Sequence, residues 1–269
     1  MRKLKSFGTY FFLTIVSLIS VFPLYWMIAA ATNNSTDVLA GKLTIGMNLI
    51  QNLSSLLERQ NVGRAFGNSL LFSGILSILS LLVCSVAGYG FEIYHDKAKD
   101  TLMSVLLLAM MVPFAATLIP LFKLFTGMHL QSTWIAYILP TISTPFLIML
   151  FRQSARSFPV EIIEAARIDG LGELQIFLRI FLPTMRSTYA AALTVTFMNA
   201  WNNYLWPKVI MMSETSQTMP MLVANLASGY SIDYGVLMLG VLICSLPTGI
   251  LFLVLQKSFA NGIVGAVKG

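Results

Sequence analysis

Apolar residues in this chain gather into long runs, and short polar segments separate them. Six runs, at residues 9–31, 68–94, 101–125, 133–151, 187–206 and 234–256, stand out. Each is close to the roughly 20 apolar residues that a helix needs to cross a bilayer. The pattern predicts an all-α integral membrane fold, with six spans in one domain over residues 1–269. Prolines interrupt the runs at Pro23, Pro113, Pro120, Pro140, Pro145 and Pro247. Bundled membrane helices tolerate such breaks, because neighbouring helices satisfy the freed carbonyls.

Composition agrees with the pattern. The chain is 57% hydrophobic and 10% charged, with a mean hydropathy of +0.78. Soluble domains carry about 25% charged residues, so this chain takes the lipid bilayer as its solvent. The net charge of +6 is spread over short loops, with no basic run interleaved with aromatics, and nucleic acid is not an expected partner. Cys84 and Cys244 both fall inside apolar runs and read as small core residues. His95 and His129 stand alone, so no metal site is expected. The first run has a basic start (Arg2, Lys3, Lys5) and ends in Ala29–Ala31, like a signal peptide. It is longer than the 7–15 apolar residues of a signal sequence, and is expected to stay as a span.

Loop charge sets the orientation. With the N-terminus inside, the inner segments hold twelve basic residues: Arg2, Lys3, Lys5, Lys97, Lys99, Arg152, Arg156, Arg167, Arg179, Arg186, Lys257 and Lys268. The outer segments hold five: Lys42, Arg59, Arg64, Lys123 and Lys208. Both termini, and the polar segment 152–186, are therefore expected in the cytoplasm.

Within that segment, Glu164 to Pro183 reads EAARIDGLGELQIFLRIFLP. Pro159 suits the first turn of a helix, where its missing N–H costs nothing. Val160–Asp169 then reads as a short helix, stopped by Gly170 and Gly172. Glu173–Phe181 reads as a second short helix, and Pro183 starts the return to the membrane. The result is a helix-turn-helix across the cytoplasmic face. Ala165 and Ala166 keep one face thin enough to enter a groove on a partner, and Glu164 offers a charge to a basic residue there. A Glu-Ala-Ala triplet alone would read as an ordinary interfacial helix. Here Glu164, Ala165, Ala166, Gly170, Ile180, Leu182 and Pro183 are all in place, and the segment resembles the EAA loop of ABC importer permeases.

The resemblance covers the whole chain and is nearest in kind to the maltose-type (MalG-like) sugar permeases. Trp201-Asn202-Asn203-Tyr204-Leu205-Trp206-Pro207 is similar to the Trp-Asn-x-x-x-Trp-Pro close of their fifth span, and Gly262–Gly269 to their Gly-Ala-Val-Lys-Gly tail. The family often places an acid near position 203, where this chain has Asn203. The resemblance implies a type I importer permease in the bacterial inner membrane. It further implies a second homologous permease, two ATPase subunits that hold ATP and Mg, and an extracytoplasmic solute-binding protein. The residues that couple to the ATPase would be Glu164, Ala165, Ala166, Asp169, Gly170, Ile180, Leu182 and Pro183.

Missing chemistry narrows the function. No phosphate loop is present, since Gly41-Lys42 is followed by Leu43 and lacks the earlier glycine. Neither H-E-x-x-H nor G-x-S-x-G occurs. No catalytic residue and no cofactor of its own are expected. Of eleven acids, Glu92 and Asp233 lie near span ends and none lies mid-span, which weighs against ion coupling. A sugar needs amide partners and aromatic plates. Asn199, Trp201, Asn202, Asn203, Tyr204 and Trp206 supply both, or else form a lipid-interface belt with capping asparagines. The 26 residues of segment 207–232 carry Ser213, Glu214, Thr215, Ser216 and Gln217, able to reach a docked binding protein or to lid their own bundle. Permeation of a non-sugar solute and a stand-alone secondary carrier remain the competing readings.

Overall fold

The computed structural model describes the backbone of residues 2–267 and the side chains of residues 8–259. The side chains of Arg2, Lys3 and Lys5 and those of the tail 262–269 lie outside that description, as do residues 268 and 269 altogether. In chain order the helices are α1 Arg2–Ala31, α2 Ser35–Leu39, α3 Leu49–Arg59, α4 Val62–Ile93, α5 Lys97–Ala109, α6 Phe114–Gly127, α7 Trp134–Ile138 and α8 Pro145–Arg156. They continue with α9 Val160–Ile168, α10 Glu173–Ile176, α11 Leu182–Thr184, α12 Arg186–Trp201, α13 Leu205–Ile210, α14 Met219–Leu226 and α15 Tyr234–Val267. Among the described residues there is no strand. The all-α class expected from the sequence is what the chain adopts.

Gly8–Ala31, Val62–Ile93 and Tyr234–Phe259 are each long and apolar enough to cross a membrane unaided. Two further candidates are bent. α5 meets α6 at 99°, and Trp134–Thr141 meets α8 at 51°. Proline causes both breaks. Pro113 stands in extended backbone before α6. Pro145 opens α8 and holds Thr144 extended at φ −117°, ψ 131°, because a residue before proline is pushed out of the helical region. α12 has 16 residues, a rise of about 24 Å against a hydrocarbon core of about 30 Å. It stops at Trp201 rather than running to Trp206, so the apolar run 187–206 is not one continuous helix.

The chain divides into two compact units. The first runs to Phe66 and resumes over Met219–Leu246. Its polar staple is Asn52, whose Nδ2 donates to the carbonyls of Ala31 and Asn33, each at 2.9 Å. Asp233 accepts from Ser35 at 2.8 Å and faces Arg59 at 3.8 Å. Helix α1 exposes nearly all its large apolar side chains, from Tyr10 to Ile28, as a lipid-facing helix would.

The second unit holds Gly67–Thr218 and the chain from Pro247 onward. α4 and α8 touch backbone to backbone at Gly88, where a Cβ would lie 2.6 Å from Phe151 Cβ and 2.8 Å from Arg152 N. Beside that contact, Arg152 pairs with Glu92 at 3.1 Å and with Asp100. Arg156 adds a second contact to Glu92 at 3.3 Å, and His95 lies 3.0 Å from Asp100. These charges tie the ends of α4, α5 and α8 together just before the polar segment begins.

Candidate functional site

The segment after α8 folds as a helix-turn-helix packed on its own small core. Ile163, Ala166, Ile176, Phe177 and Phe181 are buried with Tyr89, Ala155, Phe158 and Met185. The Tyr89 ring meets Phe177 at 5.4 Å and Phe181 at 4.9 Å, both edge-on. The segment is therefore seated on the end of α4.

Pro159 precedes α9 as its N-cap residue, one place earlier than the sequence suggested. α9 ends in a Schellman motif. The N–H of Gly170 donates to the Arg167 carbonyl and that of Leu171 to the Ala166 carbonyl. Gly170 has φ +82°, the left-handed backbone that such a stop requires. Gly172 is not a second stop. It sits in extended backbone as the N-cap of α10, and its N–H donates to Gln175 Oε1 at 3.2 Å. Beyond α10 the backbone widens into a π-helical turn over Phe177–Phe181 and tightens again in α11, where Pro183 lies within the helix rather than starting a turn.

The two alanines differ in role. Ala166 is 5% exposed and belongs to the inner core, while Ala165 faces out. Both alanines nonetheless line an open groove of about 450 Å³, with Asp169, Ile180, Glu161, Ile162 and Leu171. Glu164 is exposed and has no ion-pair partner among the described residues. Leu182 is half-buried against the loop core, and Pro183 is exposed.

No pattern in the sequence signals the ion pair that spans the turn of this loop. Arg167 Nε donates to Glu173 Oε1 at 2.7 Å, and the Arg167 guanidinium lies 5.9 Å from the Tyr94 ring centre. The hydrogen bond from Arg167, helped by one from Tyr94, holds the Glu173 carboxyl below its usual range. The six-residue spacing matches no helical pair rule. Only the Gly170 turn brings the two together.

The residues at the close of α12 divide in two. Trp201 and Trp206 are 1% and 0% exposed. Trp206 donates its indole N–H to the Ala136 carbonyl at 3.0 Å and meets Phe114 and Phe125 edge-on at 6.3 and 5.9 Å. Both tryptophans are core residues. They stand neither in a lipid-interface belt nor open to a passing solute. Asn202 and Tyr204 are exposed, and Asn199 and Asn203 line a cavity. Beyond them the outer segment is more ordered than a long loop. It contains α13, the turn Glu214–Ser216 and α14. Asn68 Nδ2 donates to the Thr215 and Gln217 carbonyls at 2.8 and 2.9 Å. Ser213, Glu214 and Thr215 are left facing out, with Ser216 and Gln217 half-buried.

Residues 94–264, which contain the whole helix-turn-helix, match the family described as binding-protein-dependent transport system inner membrane component. The chain belongs to that family. The lactose transport system permease protein LacG of Rhizobium radiobacter is 42% identical to this permease over 267 residues, covering 99% of this chain and 98% of that one. The arabinooligosaccharides transport system permease protein AraQ of Bacillus subtilis is 34% identical, covering 96% and 94%. An sn-glycerol-3-phosphate transport system permease protein, UgpE of Yersinia pestis, is 26% identical, covering 93% of each. The crystal structure of a bacterial ABC transporter involved in the import of the acidic polysaccharide alginate aligns with a TM-score of 0.84. It covers 96% of this chain and 97% of that one at 17% identity, and gives the permease its fold.

Proposed function

We propose that this permease is one of two membrane subunits of an ATP-driven importer for neutral mono- or oligosaccharides. The observation that carries this is the outward groove of the helix-turn-helix, with Ala165, Asp169 and Ile180 on its walls and exposed Glu164 beside it. A short helical hairpin seated on a rigid core and offering a groove and a free charge is a joint for a partner protein. The partner is an ATPase pair that binds ATP and Mg, since this chain has no phosphate loop of its own. Glu164, Ala165, Ala166, Asp169, Gly170, Ile180, Leu182 and Pro183 shape or present the joint.

Six spans hold the chain in the bacterial inner membrane with both termini cytoplasmic, as the bias of basic loop residues requires. The fifth is α12 with its broken continuation. A second homologous permease completes the pathway. A binding protein outside delivers the sugar and touches Ser213 to Gln217. The solute passes the Asn199–Tyr204 end of α12, where amides are available. Relatives named for lactose and for arabinooligosaccharides support a neutral saccharide as cargo.

Reconstitution with each component left out in turn tests this reading. ATP-dependent sugar accumulation is expected only with both permeases, the ATPase and the binding protein present. Accumulation by this chain alone, on an ion gradient, would replace the reading with a stand-alone carrier.

A further inference from the structure

We propose that residues 43–57, between α1 and α4, lie in the headgroup boundary of the outer leaflet. There α3 is an interfacial helix whose Ile50, Leu53 and Leu57 enter the acyl chains. The inference goes beyond the importer reading above and takes from it only which leaflet is the outer one.

At 3.6 residues per turn, α3 has three faces. Asn52 and Leu56 share the first, and both are buried, with Asn52 held on the carbonyls of Ala31 and Asn33. Gln51, Ser54 and Glu58 share the second, which is polar and exposed. Leu49, Ile50, Leu53 and Leu57 share the third, which is apolar and equally exposed. A helix with one face for the protein, one for water and one apolar face left open is built to lie in a membrane surface. No residue from Leu43 to Leu57 is ionisable, so no charge opposes immersion and no anionic lipid is needed to hold the segment down.

The apolar surface does not stop at α3. Leu43, Ile45 and Met47 lead into it, and Met47 is 99% exposed. Soluble surfaces rarely present contiguous apolar patches of this kind to water. On the lipid-facing helix α1, Leu24, Tyr25 and Ile28 are exposed as well, and the Tyr25 hydroxyl donates to the Leu43 carbonyl at 2.8 Å. The patch therefore continues the surface that α1 already turns to lipid.

The level of the segment is set by α1. About 20 residues cross the hydrocarbon core. Counted from Gly8, where the apolar helix begins, they reach about Met27. Tyr25 and Trp26 thus mark the outer boundary, where such rings concentrate, and Leu43 is tied to that level. The chain then stays against the end of α1. The Thr44 carbonyl accepts from Asn33 Nδ2 at 2.8 Å, and the Gly46 N–H donates to Thr32 Oγ1 at 2.9 Å. The Asn48 N–H donates to the Thr32 carbonyl at 2.9 Å. Gly46 passes so close that a Cβ would lie 2.5 Å from that carbonyl. Irregular backbone bears contact with lipid only where its polar groups are satisfied, and here the close of α1 satisfies them.

The test uses the assembled importer in sealed, right-side-out proteoliposomes. One set is made of phosphatidylethanolamine with a minor share of phosphatidylglycerol, the other of phosphatidylcholine alone. With Cys84 and Cys244 replaced, an environment-sensitive fluorophore is attached at Ile50→Cys, Leu53→Cys, Leu57→Cys, Ser54→Cys or Glu58→Cys. All five positions are exposed, so the fold is not at stake. Phospholipid carrying a doxyl quencher near its headgroup is expected to quench the labels at 50, 53 and 57 several-fold more than those at 54 and 58. Iodide added outside is expected to do the reverse, and both patterns should hold in either lipid. Labels at 50, 53 and 57 shielded from both quenchers would show that protein covers this face, the second permease or the docked binding protein, and would overturn the proposal. Iodide reaching all five positions equally would overturn it too, as would loss of the doxyl pattern in phosphatidylcholine alone. None of these outcomes touches the importer reading. Failure of that reading, with no ATP-dependent sugar uptake by the wild type, would leave the quenching pattern unchanged.

Discussion

Arg167 and Glu173 meet at 2.7 Å across the Gly170 turn, joining the two short helices of the cytoplasmic-loop hairpin proposed above as the joint, beside Tyr94. The pair is on the surface, where solvent screening leaves such a contact worth little to stability. The expected role of the pair is to fix the angle between the two short helices rather than to hold the fold. Arg167→Ala should leave the protein in the membrane but reduce uptake per ATP hydrolysed. The exchanged pair Arg167→Glu with Glu173→Arg should recover part of it. Equal coupling ratios in wild type and Arg167→Ala would show that the angle is set elsewhere.

The same pair has a defined pH dependence. The folded Glu173 carboxyl titrates below its ordinary value, which is about 4.3. Its contribution is therefore fully present above that ordinary value and is lost as pH falls through the depressed one. Between pH 6 and 8 no dependence is expected from it. The small difference in melting temperature between wild type and Glu173→Gln at pH 7 should shrink as pH drops below about 4. A difference that grows in acid would reverse the assignment.

Gly170 tests backbone conformation separately from packing. A Cβ there meets nothing within 4 Å, yet φ is +82°. Gly170→Val should cost about 1–2 kcal/mol locally, loosening the hairpin and lowering uptake and ATPase retention on purification together. Gly170→Asn, which tolerates this region, should do much less damage. If both variants transport equally well, the turn does not need its left-handed residue.

Gly88 tests close approach. A Cβ would sit 2.6 Å from Phe151 Cβ and 2.9 Å from the Ile148 carbonyl, and neither backbone can swing aside. Overpacking of this kind typically costs about 1–3 kcal/mol. Gly88→Ala should lower the detergent melting temperature by several degrees, whereas Gly90→Ala, with open space around it, should not. Similar melting temperatures for the two would mean that α4 and α8 are farther apart.

Orientation is tested by labelling. With Cys84 and Cys244 replaced, single cysteines at exposed Lys97 and Glu214 should report opposite sides of the membrane. An impermeant thiol reagent on intact cells should label position 214 and spare 97. The reverse pattern would put the helical hairpin outside and remove the ATPase-coupling role proposed for it.

Much of this permease was legible before any coordinate. Apolar runs fixed the bilayer as solvent, and a Gly170 stop after a short helix is a local signal, because a Schellman motif draws on only a few consecutive residues. Proline positions likewise announced breaks, though not their 99° and 51° angles.

What the sequence could not decide was which side of an apolar helix faces inward. A helix that is greasy all round has no polar stripe to orient it, so Trp206 read as a solute plate or belt residue until packing on Phe114 and Phe125 showed it to be core. The same ambiguity hid Thr196, whose buried hydroxyl finds no hydrogen-bond partner among the described residues. Arg152 finds Glu92 and Asp100 across 60 and 52 residues of chain, and such partners exist only after the helices have packed. Local backbone chemistry wrote the elements, the hairpin and the breaks. Burial and pairing are properties of neighbours far apart in the chain, and only the tertiary structure supplied those.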